Sequence, residues 1–197
     1  MTNENSIQAV LQFWFGQPDS DAASYTQRRK IWFGKQTDLD ALITQQFRLL
    51  YESAVAGKSQ DWQQTPESCL ALIIVLDQFS RNMFRDSPKA FAADPQALQV
   101  AKFAVDQGFD RQLVPIQRIF MYLPFEHSEN LEQQARSVEL FHQLQTEAPE
   151  LADTYDYALR HQAVIQQFGR FPHRNAILGR SSTAAEKEFL QQPGSSF

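Results

Sequence analysis

The residues with the most chemistry to offer sit in one stretch towards the C-terminal end. Between Asp156 and Glu186 there is no acidic residue, yet the stretch holds Arg160, His161, Arg170, His173, Arg174 and Arg180. The chain as a whole carries a formal charge of -5. A cationic run in an acidic chain calls for an anionic partner, either a carboxylate elsewhere in the fold or a ligand. Its centre is Phe168-Gly169-Arg170-Phe171-Pro172-His173-Arg174-Asn175. Gly169 is suited to end a helix in a left-handed turn. Pro172 stiffens the backbone, and Phe168 and Phe171 can anchor it. Arg170, His173 and Arg174 then project from a loop with few degrees of freedom, and pre-organised donors bind an anion at lower entropic cost. The competing role is structural. Arginine is the usual choice for buried ion pairs, and Asp77, Asp94 or Glu126 could take these guanidiniums. Arg180, behind Gly179, has the same two uses.

Two further groups invite the same question. Gln78, Arg81, Asn82 and Arg85 fall at i, i+3, i+4 and i+7, so they share one face of a helix. They form either a row of donors lining a groove, with arginine forks suited to carboxylate or phosphate, or a solvated face with one surface pair between Asp77 and Arg81. The other group is Glu126-His127, emerging from the apolar run Phe120-Met121-Tyr122-Leu123-Pro124-Phe125. A carboxylate and an imidazole against an apolar wall are candidates for acid–base catalysis. Their structural alternative is a helix start, with Ser128 as cap and Glu129 in the first turn. His161 lies at helical spacing with Tyr157, Val164 and Phe168 and is expected to be buried, as a satisfied core group or a site member.

Other chemistry can be set aside. No G-x-x-x-x-G-K-[ST], H-E-x-x-H or G-x-S-x-G string occurs. A ferritin-like di-iron site wants two Glu-x-x-His pairs, and only Glu139 with His142 qualifies. No metal or cofactor is expected. Cys69, the single cysteine, opens an apolar helix and reads as core. It cannot form an internal disulfide, which fits a reducing compartment and a cytoplasmic location. The polar, acidic N-terminus lacks the pattern of a secretory signal. The longest apolar run, near Leu70 to Leu76, is far short of the roughly 20 residues a spanning helix needs. A sequence pI of about 5.4 argues against a nucleic-acid partner. No membrane partner is expected either. Oligomeric state is open.

The elements that must hold these groups are helices. A chain of 197 residues with 43% hydrophobic content, including 16 phenylalanines and 3 tryptophans, can bury one sizeable core. Ile7, Val10, Leu11 and Trp14 recur at helical spacing behind Ser6, a cap candidate, with Gly16-Gln17-Pro18 as the stop. A second helix is expected over Tyr25 to Phe33. Asp38 can cap a long one that Gly57 ends. Thr65-Pro66 and Asp94-Pro95 both read as helix starts, with Gly108 as a later stop. Pro115 opens a short helix that Pro124 interrupts. Helices over Ser128 to Glu147 and Leu151 to Phe168 follow. Thr183-Ala184-Ala185-Glu186 is a capping box for a last short helix, and the tail from Gln192 is expected to fray. Strand signals are nearly absent.

The strings LDQFSRNMFR (76–85), AFAADPQAL (90–98), FMYLPFEHSE (120–129), FGRFPHRN (168–175) and TAAEKEFL (183–190), with FWFG (13–16), resemble the bacterial "domain of unknown function 924" family over nearly the whole chain. The resemblance implies an all-α, tetratricopeptide-like right-handed superhelix of antiparallel helix pairs, here one domain over 1–197. It implies no particular reaction. The residues themselves lead to a small anionic ligand held by Gln78, Arg81, Asn82, Arg85, His161, Arg170, His173 and Arg174, with Glu126 and His127 as acid and base. The alternative is a non-catalytic scaffold that binds a peptide or a partner protein.

Overall fold

A computed structural model describes residues 3–16, 23–34 and 36–195. These residues are all helix and connection, with no strand among them. No described helix is long and apolar enough to cross a membrane. Gln17, Pro18 and Ser196, which the sequence places in a stop and a frayed tail, lie outside the described residues, whereas Ser195 of that tail is buried and donates to the Leu190 carbonyl at 3.2 Å instead of fraying. The chain divides into two compact units. Unit 1 comprises residues 1–85 and 89–124, and unit 2 comprises 86–88 and 125–197.

Unit 1 begins with α1 (Asn3–Phe15) and α2 (Ala23–Trp32). Helix α1 starts ahead of Ser6, so Ser6 is not its cap. Trp14 is the hinge of this pair: its carbonyl accepts from Arg28 Nη1 and Trp32 Nε1, both at 2.9 Å. The Phe13-Trp14-Phe15 triplet packs into the core, with Trp14 buried. Phe13 meets Phe47 edge-on at 5.1 Å, and Phe15 meets Phe120 at 5.4 Å. Helix α3 (Thr37–Val55) is capped by Gln36, which leaves Asp38 in the first turn rather than at the cap. There it faces the positive end of the helix dipole. Gly57, at φ +75°, then turns the chain out of α3.

Thr65 caps α4 (Pro66–Ile73), with Ser68 completing a reciprocal capping box and Pro66 in the first turn. Beyond Ile73 the helix widens into a π-helical segment, Ile74–Phe79, and resumes as α5 (Ser80–Met83). All six residues of the wide segment are buried, Asp77 and Gln78 included. Turns closed by i→i+5 bonds shift the phase of the helix, so the faces drawn at 3.6 residues per turn do not carry through. Asp77 therefore points inward, and the surface ion pair expected there is part-buried, with Asp77 enclosed and Arg81 partly exposed. Ala93 caps α6 (Asp94–Asp106), one residue before the expected cap. Helix α7 (Pro115–Glu126) runs through Pro124 instead of breaking there. A proline so near the end forfeits one backbone bond, to the Phe120 carbonyl, and only two residues follow it.

Unit 2 contains α8 (Leu131–Glu147), α9 (Ala152–Phe168) and α10 (Ala184–Phe189). Asn130, not Ser128, caps α8, accepting from the backbone N–H groups of Glu132 and Gln133. Helices α8 and α9 pack on each other and are joined by one short turn, Pro149–Leu151. Gly169, at φ +68°, ends α9 in a left-handed cap. Thr183 and Glu186 form the capping box of α10 as the sequence suggests. Between them runs the 170–182 loop, whose Phe171 is buried with Val164 and Ile165 and packed by Phe168 and Phe189.

Candidate functional site

The ten candidate residues divide between the units. Gln78, Arg81, Asn82 and Arg85 belong to unit 1. Glu126, His127, His161, Arg170, His173 and Arg174 belong to unit 2.

In unit 1 the donor row is taken up by carboxylates of the chain. Arg81 grips Asp94 with both Nη atoms, at 2.8 and 3.0 Å. Its Nη1 also reaches the Asp77 carbonyl at 2.7 Å and Asp77 Oδ1 at 3.3 Å. Burial alone would weaken the charge on Arg81, but Asp77 and Asp94 more than offset this and raise its pKa. Gln78 Nε2 donates to Asp77 Oδ2 at 2.6 Å. Arg85 forks onto Asp40 at 2.7 and 2.8 Å, and Asn82 Nδ2 donates to the same Asp40 at 2.8 Å. This is pairwise neutralisation in charge-assisted, bidentate geometry. Nearby, Tyr122 donates to Asp110 at 2.7 Å and accepts from Arg118 Nε at 3.0 Å, and burial pushes its phenol up. Cys69 is fully buried and its thiol is pushed up to about 12 by burial. It is a core residue.

In unit 2, two arginines are closed in the same way. Arg170 forks onto Glu186 at 2.6 and 2.9 Å. The hydrogen bond from Arg170 is the main reason the Glu186 carboxyl falls to about 2, with burial opposing and the Thr183 N–H assisting. Arg180 forks onto Glu129 at 2.7 and 2.9 Å, and the Phe171 N–H donates to Glu129 at 2.8 Å. Burial would raise the Glu129 carboxyl, but these bonds and the charges of Arg180 and Arg174 hold it low. Glu129 is thus no helix-dipole ornament. It ties the segment after α7 to the 170–180 loop.

Of the remaining candidates, His161, His173 and Arg174 gather around Phe171. The His161 ring lies 5.5 Å from the Phe171 ring, His173 lies 5.6 Å from it, and the Arg174 guanidinium stacks over it at 4.5 Å. Glu126 Oε1 is 3.3 Å from His161 Nδ1, and both side chains are about 95% removed from solvent. His161 Nδ1 also lies 2.9 Å from the Tyr157 carbonyl. A carbonyl can only accept, so Nδ1 carries the proton and Nε2 keeps its lone pair in the neutral ring. Burial is the chief cause that drives the His161 pKa down to about 3. The Tyr157 carbonyl opposes it, and the charges of His127, Arg174 and His173 add to it. His161 is therefore a neutral imidazole at physiological pH. The stripe that buries it runs through Ala158, Val164 and Ile165, while Tyr157 stays exposed beneath the Arg160 guanidinium.

Sequence reasoning missed two members of this neighbourhood. Gln134 Nε2 donates to the carbonyls of Glu126 and Ser128 at 2.6 and 2.7 Å, which fixes the backbone from which Glu126 and His127 project. One turn further on is Ser137. Gln134 Oε1 and Ser137 Oγ are both buried, with no hydrogen-bond partner among the described residues. Polar residues at helical spacing with the apolar Leu140, Phe141 and Leu144 on the buried face of α8 were the available signal. Among the described residues no group of three or more His, Cys, Asp and Glu side chains is arranged to hold a metal ion.

Fold and cluster together define an all-helical protein that keeps an imidazole–carboxylate pair buried beside an arginine stacked on an aromatic ring. The chain belongs to the family described as "Bacterial protein of unknown function (DUF924)", which it matches over residues 10–194. It is also similar to a solved structure, that of the protein of unknown function ATU0120 from Agrobacterium tumefaciens. The two are 32% identical with a TM-score of 0.83, over 97% of this chain and 99% of that one. None of the curated proteins matches the chain.

Proposed function

We propose that the cluster around Phe171 binds a small anionic ligand bearing a phosphate or carboxylate group. His127, His173 and Arg174 are the donors, and Glu126 and His161 are the proton-handling groups behind them. One observation carries this reading: His161, His173 and Arg174 converge on a single phenyl ring, with Glu126 3.3 Å from His161. Arg170 is committed to Glu186. Gln78, Arg81, Asn82 and Arg85 are likewise committed to Asp77, Asp94 and Asp40. The proposed donor set therefore narrows to unit 2. The reaction class this reading extends to is hydrolysis of an ester, with the buried Glu126–His161 pair handling the proton taken from water. The finer architecture, a tetratricopeptide-like right-handed superhelix in a cytoplasmic protein, is part of the same proposal. The close pairing of α8 with α9 and the free Cys69 support it.

A second reading, a non-catalytic scaffold that takes a peptide or partner protein, is favoured by the carboxylate closure of Arg81, Arg85, Arg170 and Arg180. The two part company in a thermal-shift experiment at low salt with inorganic phosphate and malonate as probes. A ligand present at 100 times its dissociation constant stabilises the native state by about 2.7 kcal/mol. The anion reading expects such a shift in the wild type and its loss in H127A and H173A, both at half-buried positions. No shift with either probe would overturn it.

A further inference from the structure

Unit 1 contains a cleft that uses none of the cationic residues discussed above. Its volume is about 420 Å³, within the range of roughly 300–1,000 Å³ typical of small-ligand sites. The floor is aliphatic, made by Leu72 and Leu76 with Val100 of α6. The rim is carboxamide: Gln60 and Gln63 from the turn after α3, and Gln99 from α6. A fourth amide, Gln96, is spent on the chain itself, donating to the Val55 carbonyl at 3.0 Å. The side-chain amides of Gln60, Gln63 and Gln99 make no hydrogen bond among the described residues. No acidic, basic or aromatic side chain lines the cleft.

That lining selects a ligand by elimination and by match. A charged group would lose its hydration and gain no counter-charge. A sugar ring or nucleobase would find no aromatic ring to stack on. A carboxamide presents one acceptor and two donors in a single plane, which is the complement of a peptide group. The aliphatic floor rewards apolar side chains between such groups. We infer that this cleft binds a short, uncharged, extended peptide segment. The Gln60, Gln63 and Gln99 amides pair with its backbone C=O and N–H groups, and an aliphatic side chain rests on Leu72, Leu76 and Val100. This site does not depend on the anion reading of unit 2.

The test is a titration of the isotope-labelled protein followed by NMR. The probe is a capped Ala-Leu-Ala tripeptide, with maltotriose titrated in parallel. The tripeptide is expected to shift the side-chain amide signals of Gln60, Gln63 and Gln99 saturably. Q99W, at an exposed position on α6, should fill the cleft and abolish that response. The double variant Q60A/Q63A, on the surface turn, should weaken binding about tenfold, as loss of two ordinary hydrogen bonds implies. The inference is overturned by the absence of a saturable response in the wild type. It is equally overturned by a response that survives both sets of substitutions, or by saturation with maltotriose and none with the tripeptide.

Discussion

The two units use charged side chains in different ways. In unit 1, Arg81 grips Asp94 and Arg85 grips Asp40 at two points each, Gln78 bonds to Asp77, which Arg81 also reaches, and Asn82 bonds to Asp40. The polar chemistry of residues 77–85 is spent on holding the widened helix in place. Unit 2 repeats that device at Arg170 with Glu186 and at Arg180 with Glu129. In its cluster, two imidazoles and a guanidinium share one aromatic ring, and the Glu126 carboxylate is buried against His161. A run of basic residues is therefore ambiguous by itself. Closure of each guanidinium on its own carboxylate marks architecture. Convergence of imidazoles with a carboxylate away from water is the arrangement on which the proposed anion site rests.

The strongest way to break this contrast is to open a pair in unit 1. R81A leaves Asp77, which is fully buried, without its guanidinium and removes the grip on Asp94. Breaking a buried pair from one side costs about 3–5 kcal/mol, so urea denaturation should show a loss near the lower end of that range, since Arg81 is partly exposed. A loss under about 1 kcal/mol, the worth of a surface pair, would mean that the unit 1 network is not structural, and the contrast would fail. In unit 2, E129A removes the partner of Arg180 and of the Phe171 N–H together. At half burial the expected loss is smaller, about 2 kcal/mol, and it should come with faster proteolysis within residues 170–180. Unchanged proteolysis would show that the loop does not need this tie.

The buried imidazole sharpens the comparison through pH. His161 has a folded pKa of about 3 against an ordinary 6.5. Its folded value is depressed, so protonation favours the unfolded chain wherever the pH lies between the two. Its contribution to stability is complete above pH 6.5 and is lost as the pH falls towards 3. The slope it adds is at most one proton, about 1.4 kcal/mol per pH unit. H161F should flatten the stability curve in that window and leave its slope unchanged above pH 7. If wild type and variant fall in parallel, His161 is not buried in its neutral form.

Much of this was legible in the chain, for identifiable reasons. The Thr65 and Thr183 caps and the Gly57 and Gly169 stops depend on local backbone chemistry, and local chemistry is written in adjacent residues. Burial of His161 followed from helical spacing. The inward turn of Asp77 did not, because it depends on six residues adopting wider turns, and nothing in Ile74-Val75-Leu76-Asp77-Gln78-Phe79 departs from an ordinary α-helical pattern. The pairings Arg170 with Glu186, Arg180 with Glu129 and Arg85 with Asp40 span 16, 51 and 45 positions. Spacing carries no information at such range, so the sequence named the guanidiniums without naming their carboxylates. The continuation of α7 through Pro124 escaped for another reason: a propensity that breaks a helix at its middle has little to break near its end.

The smallest perturbation discriminates between the units most cleanly. Gly57 and Gly169 stand in equivalent roles, each in the left-handed region after a long helix, at φ +75° and +68°. An added Cβ would meet nothing within 4 Å at either position. The cost of G57A and of G169A is therefore backbone strain alone, about 1 kcal/mol each, and their melting curves should shift alike. Their consequences differ in what lies downstream. Gly57 leads into the turn that carries Gln60 and Gln63, whereas Gly169 sets the direction of the chain into Arg170, Phe171, His173 and Arg174. If the Phe171 cluster is the anion site, G169A loses the thermal shift with inorganic phosphate and G57A retains it, at matched stability. Loss in both variants, or retention in both, would mean that phosphate reports global stability and that no site has been located.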